Sequence, residues 1–282
     1  MPYPRTAAST VVGDLRVLRN LEAPAPLAAR DILVHVPAGG FESGLRYPVL
    51  YMHDGQNLFD AATSFAGEWQ VDETLEELAN EGLELIVVGI PNGGDLRPDE
   101  YTPYPWRGGP REGGGLATTY LRFLVDRVKP AVDAAFPTRP EREATGILGS
   151  SLGGTVSLWA AVELGSTFGM VGAMSPSVPP GQGPLLERLR TVTPGPDRVY
   201  LDVGGAEGDR GFRGNVVRIR DAFVVAGLRE GDSLRYLLEN GAIHHESAWA
   251  RRLPEAIRYL FGPFRTELAS SDSHRQEYRL SP

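Results

Sequence analysis

A serine hydroxyl becomes a useful nucleophile only where a tight turn exposes it and a base can take its proton. Residues 149–153, Gly149-Ser150-Ser151-Leu152-Gly153, have the G-x-S-x-G form and stand between the apolar run Thr145-Gly146-Ile147-Leu148 and the apolar, helix-prone stretch that follows Ser151. That context is what the motif needs, because the strand-to-helix turn is too sharp for side chains two positions before and after the serine. Gly154 relaxes it further. The turn is expected to lift Ser151 Oγ out at the carboxyl end of a sheet, with the Leu152 N–H at a helix start aimed at a developing oxyanion. A phosphate-binding loop is the competing reading, but neither G-x-x-x-x-G-K-[ST] nor the G-x-G-x-x-G spacing is present.

On a strand-turn-helix scaffold of this kind the acid and the base follow the nucleophile in the order Ser, Asp/Glu, His. His35 and His53 precede Ser151, and His274 lies in a polar tail, so the adjacent pair His244-His245 holds the candidate base. The stretch Tyr200-Leu201-Asp202-Val203-Gly204-Gly205-Ala206-Glu207-Gly208-Asp209 offers the acid. Asp202 falls inside a predicted strand, which leaves Glu207 or Asp209.

Short β-branched runs alternating with amphipathic stretches must carry these residues, the pattern of a parallel sheet covered by helices on both faces. Eight strands are expected: 11–18, 31–36, 47–53, 85–90, 145–148, 170–174, 198–203 and 234–238, the first two as an antiparallel edge. Tyr120, Phe123, Leu124, Val128, Val132 and Phe136 recur at helical spacing and predict a helix over 116–136, kinked or broken at Pro130. Further helices are expected after Glu68, Ser151, Asn215 and Glu246. Residues 91–115 and 175–195 show no periodicity and read as long loops. The expected organisation is one α/β domain over 1–266, with a polar tail over 267–282.

Composition narrows the function classes. Of 282 residues 41% are hydrophobic and 23% charged, ordinary for a globular protein, and the net charge of -8 argues against nucleic acid and anionic membrane as partners. The absence of cysteine excludes disulfides, thiolate metal sites and a cysteine nucleophile. Without a basic-then-apolar leader or a long apolar span, the expected location is cytoplasmic. His53-Asp54 and His244-His245-Glu246 lack the count and spacing of a metal site, so neither metal nor cofactor is expected.

Four ordered stretches carry a resemblance. His53-Asp54-Gly55-Gln56-Asn57-Leu58-Phe59-Asp60, Arg97-Pro98-Asp99-Glu100-Tyr101-Thr102-Pro103, the Gly149–Gly154 turn and Gly241-Ala242-Ile243-His244-His245-Glu246-Ser247-Ala248-Trp249 together resemble an esterase family of the α/β-hydrolase superfamily. That family includes esterase D, ferric enterochelin and bacillibactin esterases, and feruloyl and acetylxylan esterases. The resemblance runs from about Arg46 to Phe261 and is nearest the siderophore-esterase branch, although the separate N-terminal domain of the enterochelin enzymes has no room here. It implies an α/β-hydrolase fold, His244 as base, Glu207 as acid through the Gly204-Gly205-Ala206-Glu207 turn, and the backbone of Gln56 as second oxyanion donor.

Trp69, Arg97, Tyr101, Trp106 and Trp249 are the expected substrate-binding residues, each tryptophan serving equally well as packing and Arg97 equally well as a brace paired with Glu100. Arg97, Arg107 and Arg111 gather in one loop of an acidic protein and could form a cationic rim for an anionic ester. The leading expectation is a serine esterase acting on small-molecule carboxylic esters through an acyl-enzyme, with siderophore trilactones or feruloyl-type esters as candidates. An acyltransferase on the same site and a non-catalytic binding protein on a hydrolase fold are the alternatives.

Overall fold

The computed structural model describes residues 1–106, 112–179, 181 and 183–265. Eight strands form one sheet: β1 (Asp14–Leu21), β2 (Arg30–Val36), β3 (Val49–His53), β4 (Ile86–Ile90), β5 (Thr145–Ser150), β6 (Met170–Met174), β7 (Arg198–Gly204) and β8 (Leu234–Glu239). Their spatial order is β1-β2-β4-β3-β5-β6-β7-β8. β1 pairs antiparallel with β2, and β2 antiparallel with β4. From β4 to β8 every pairing is parallel. All eight expected strands are present, the antiparallel edge included.

Alternation along each central strand divides the core into two layers. Val49, Tyr51, Ile86, Val88, Ile90 and Ile147 face one side, whereas Leu50, Met52, Val87 and Leu148 face the other. On the second side lie α1 (Val71–Ala79) and, later in the chain, the helix Glu246–Phe261, which offer Val71, Leu75, Leu78, Leu253, Ile257 and Leu260. The first side is covered by α2 (Ala117–Phe123), α3 (Lys129–Ala135), α4 (Leu152–Glu163), α5 (Gly183–Arg190) and α6 (Arg210–Val225). The helix Glu246–Phe261 is α7. Every residue of α4 from Gly153 to Ala161 is buried, as its uniformly apolar sequence requires.

Three departures from the sequence reading have local causes. The helix expected over 116–136 neither stops nor simply kinks at Pro130: a π-helical turn at Leu124–Val128 joins α2 to α3, and Pro130 sits in the first turn of α3, where its missing N–H costs least. Within 175–195, Leu185 and Leu189 are four apart and buried, and they fold as α5 rather than a loop. The helix expected after Asn215 begins at Arg210 because Asp209 caps it, Oδ1 accepting from Phe212 N at 2.9 Å. Residues 91–115 are partly ordered, with short helical turns at Gly94–Leu96 and Arg97–Glu100 and a two-residue ribbon pairing Pro105–Trp106 with Gly113–Gly114. Arg107, Arg111 and the 267–282 tail lie outside the described residues. No helix among the described residues is long and apolar enough to cross a membrane.

Two glycines let the chain approach itself at the carboxyl edge of the sheet. A Cβ on Gly55 would stand 2.7 Å from the Gly89 carbonyl carbon and 2.8 Å from that of Ile90, and one on Gly149 would stand 2.7 Å from the Gly153 carbonyl carbon. Backbone cannot yield as a flexible side chain can, so Gly55→Ala is expected to destabilise the fold by about 2 kcal/mol. Gly214→Ala, in α6 with nothing within 4 Å of its Cβ position, is expected to stabilise by roughly 0.5–1 kcal/mol. Urea unfolding of the two variants beside the parent checks both signs.

Candidate functional site

The parallel strands β3 to β8 all end on one edge, and the residues following β3, β5, β6, β7 and β8 meet there, as expected of an open α/β sheet. Ser151 immediately follows β5. Its φ of 55° and ψ of -123° are strained for any residue but glycine, and the strain is held by Ser151 N donating to Met174 O at 3.0 Å and by the start of α4. Leu152 is the first residue of α4, so its N–H has no acceptor within the helix. Gln56 lies in the short 3₁₀ turn Gly55–Asn57 after β3, beside the elbow: Asp54 Oδ2 is 3.4 Å from the Cβ position of Gly153.

Ser151 Oγ lies 2.9 Å from His244 Nε2, and His244 Nδ1 lies 2.9 Å from Glu207 Oε2. The His244 ring meets Trp249 edge to face at 4.9 Å and Phe212 at 5.4 Å, which leaves the imidazole little freedom to turn. Ala206 N donates to Ala242 O, tying the turn that carries Glu207 to the loop that carries His244. The neighbouring candidates have other work. His245 caps α7, its Nδ1 accepting from Ser247 N, and Asp209 caps α6. Asp202, buried in β7, accepts from Ser175 N and Arg252 Nε.

Glu207 is buried, and burial pushes its carboxyl pKa up, yet hydrogen bonds from His244, Ser175 Oγ and Gly204 N together carry it below the usual carboxylate range. It is therefore an anion at neutral pH. With Glu207 accepting, the Nδ1–H tautomer of His244 is favoured and Nε2 faces Ser151 as a lone pair.

Three residues here were not singled out from the sequence. Ser177, in the turn after β6, has its hydroxyl 3.1 Å from Ser151 Oγ, and its carbonyl accepts from Thr155 Oγ1. Ser175 donates to Glu207 Oε1 at 2.7 Å and accepts from Trp249 Nε1 and Arg252 Nη2, both at 3.0 Å. Arg252 is 3% exposed, with Nε on Asp202 Oδ2, Nη1 on Glu239 Oε2, and Nη2 3.4 Å from Glu207 Oε1. The signal for Arg252 lay in α7, where it shares the apolar face with Trp249, Leu253 and Ala256 at helical spacing.

The expected substrate walls are largely interior. Tyr101 is fully buried, its hydroxyl accepting from Asp54 N. Trp69 and Trp249 are 4% and 5% exposed and stack on each other at 5.6 Å. Trp249 meets the His244 ring, so it bears on the site through that ring. Trp106 is half-buried in the ribbon. Arg97 does not pair with Glu100: its forked donors meet both oxygens of Asp54 at 2.7 and 2.8 Å and its guanidinium lies over Tyr101, while Glu100 pairs with buried Arg30. Asp54 also accepts from Asn92 Nδ2, so its oxygens are engaged. Burial drives the His53 pKa down to about 3, and the neutral ring bonds Tyr120 OH through Nδ1 beneath the elbow.

Comparison with known proteins agrees with this architecture. The chain is 26% identical over 242 residues to YbbA of Bacillus subtilis, covering 82% of this chain and 92% of that protein. It is 34% identical over 137 residues to the siderophore triacetylfusarinine C esterase of Aspergillus fumigatus, a match spanning 46% of this chain and 44% of the relative. The crystal structure of the enterobactin esterase FES from Shigella flexneri shares the fold, with a TM-score of 0.70 at 17% identity over 90% of this chain and 60% of that one. The family described as Putative esterase matches residues 27–260, most of the chain, and the chain belongs to that family.

Proposed function

We propose that the chain hydrolyses carboxylic esters through an acyl-enzyme on Ser151, with His244 as base and acid, Glu207 as its orienting carboxylate, and the Leu152 and Gln56 amides as oxyanion donors. The observation that carries the reading is the pair of 2.9 Å contacts through which His244 joins Ser151 to Glu207. Ser151 Oγ attacks the ester carbonyl carbon while its proton passes to His244 Nε2. The carbonyl oxygen, now negative, is held by the two turn amides. As the intermediate collapses, the C–O bond to the alcohol breaks and Nε2 returns the proton to the departing oxygen. Water, deprotonated by the same nitrogen, then attacks the acyl-enzyme, releasing the acid and restoring Ser151.

The substrate class proposed is an aryl or hydroxy-acid ester of the siderophore-lactone or feruloyl kind. Support comes from the Aspergillus relative, an esterase of the siderophore triacetylfusarinine C, and from the fold shared with the enterobactin esterase. A panel of p-nitrophenyl acyl esters, a feruloyl ester and a catecholate trilactone, run with the parent and with Ser151→Ala, tests reaction and substrate together. Turnover of Ser151→Ala is expected to drop by roughly 10⁴ or more with unchanged circular dichroism. His244→Ala should match it and His245→Ala should be mild, since only one ring of the pair faces Oγ. Near-parental activity in folded Ser151→Ala would rule the mechanism out.

The acid is tested by ranking. Glu207→Gln is expected to lower kcat by about 10² to 10⁴, because the amide no longer fixes the imidazole tautomer. Asp209→Asn should leave kcat near the parent's, since an asparagine still caps α6.

Arg97 gives a third comparison. Engaged with both oxygens of Asp54, it braces the turn that carries Gln56. Arg97→Ala is expected to lower kcat/KM for a neutral and an anionic ester by the same factor. A loss confined to the anionic ester would restore the cationic-rim reading.

A further inference from the structure

On the α1–α7 side of the sheet three carboxylates converge; Arg251, which lines the same groove, is engaged with Glu239 and the Ser247 carbonyl instead. Asp72 and Glu73 lie in the first turn of α1, and Glu68 precedes it by one turn's length. One oxygen from each of the three lies within 4.8 Å of the other two. Asp72 is fully buried; its Oδ2 accepts from Val12 N at 2.7 Å, whereas its Oδ1 and the buried Oε2 of Glu73 have no partner unless the two carboxyls share a proton. Both Glu68 oxygens accept from the single hydroxyl of Thr10. The charges that bear on this group are themselves carboxylates, Glu73 on both Asp72 and Glu68, and Asp60 on Glu68.

Unpaired buried carboxylate oxygens facing like charge are costly, and only a proton or a cation relieves them. We propose that Glu68, Asp72 and Glu73 form a binding site for a hard divalent cation, Ca²⁺ above all. The donors are all oxygen, which excludes soft metals as natural occupants. Glu68 and Glu73 also line a solvent-open groove of about 520 Å³ shared with Gln70, His245 and Ser247, which gives water room to complete a shell of six to eight oxygens. Mg²⁺, which demands near-octahedral geometry, suits so irregular a set less well.

Such a cation would have structural leverage. It would clamp the start of α1 to residues 10–12, which already bond Glu68 and Asp72. It would also fix Gly67, whose Cβ position lies 3.6 Å from Glu246 Cβ and 3.8 Å from His245 Cε1, beside the loop that carries His244.

The test is calorimetric titration of the full chain, stripped with EDTA and dialysed, with CaCl₂, MgCl₂ and MnCl₂ at pH 7. Expected for Ca²⁺ is one-to-one saturation with a Kd between about 10⁻⁵ and 10⁻³ M. The melting temperature should rise by roughly 5 °C at a hundredfold excess over Kd. Asp72→Asn and Glu68→Gln, each folded by circular dichroism, should abolish the heat and the shift. Absence of a saturable heat with all three cations up to about 10 mM, or undiminished binding in both variants, overturns the site and leaves a shared proton as the relief. None of these readouts depends on ester hydrolysis.

Discussion

A single buried guanidinium organises the carboxyl edge of this sheet. Arg252 reaches from α7 to Asp202 in β7, Glu239 in β8, Ser175 after β6 and Glu207 in the turn beyond β7. Asp202 and Glu207 are both withdrawn from water, so one positive charge faces two buried negative ones, with Glu239 half-exposed at the margin. The cluster is thus short of positive charge while His244 is neutral. That residual negative charge lies beside the His244 ring through Oε2 of Glu207.

What the sequence disclosed follows from how local each signal is. The turn around Ser151 is legible because five consecutive residues must satisfy one steric demand. The sheet is legible because burial on both faces forces continuous apolar runs such as Ile86–Ile90, every residue of which is buried. Choosing between His244 and His245, or between Glu207 and Asp209, was harder, because the members of each pair differ only in where the following helix starts. His245 and Asp209 turn out to be the caps of α7 and α6. Ser175 and Ser177 stayed hidden: the side-chain contacts of their hydroxyls join segments 26 to 77 residues apart, and nothing in their immediate neighbours marks them, whereas Arg252 shows only as a charge on the apolar face of α7.

The tryptophans were open to two readings, pocket wall or packing. Large aromatics near a predicted site suggest a pocket wall, and Trp69 and Trp249 are near the site. They serve it from behind, filling the core so that the His244 ring has a fixed edge-to-face neighbour. Tyr101 and His53 act similarly beneath the other lip, packing against each other and against Tyr120 below the Gly55 turn. The site is shaped by what these rings exclude.

That packing gives the molecule an optical consequence. Trp249 touches the imidazole directly, and a protonated imidazole quenches indole emission where a neutral one does so far less. Trp159 lies across the sheet on α4, bonded to Thr118, and Trp69 packs against Trp249. A change of charge on the His244 ring is therefore expected in the emission of Trp249, and can be watched by light without labelling the protein or adding a substrate.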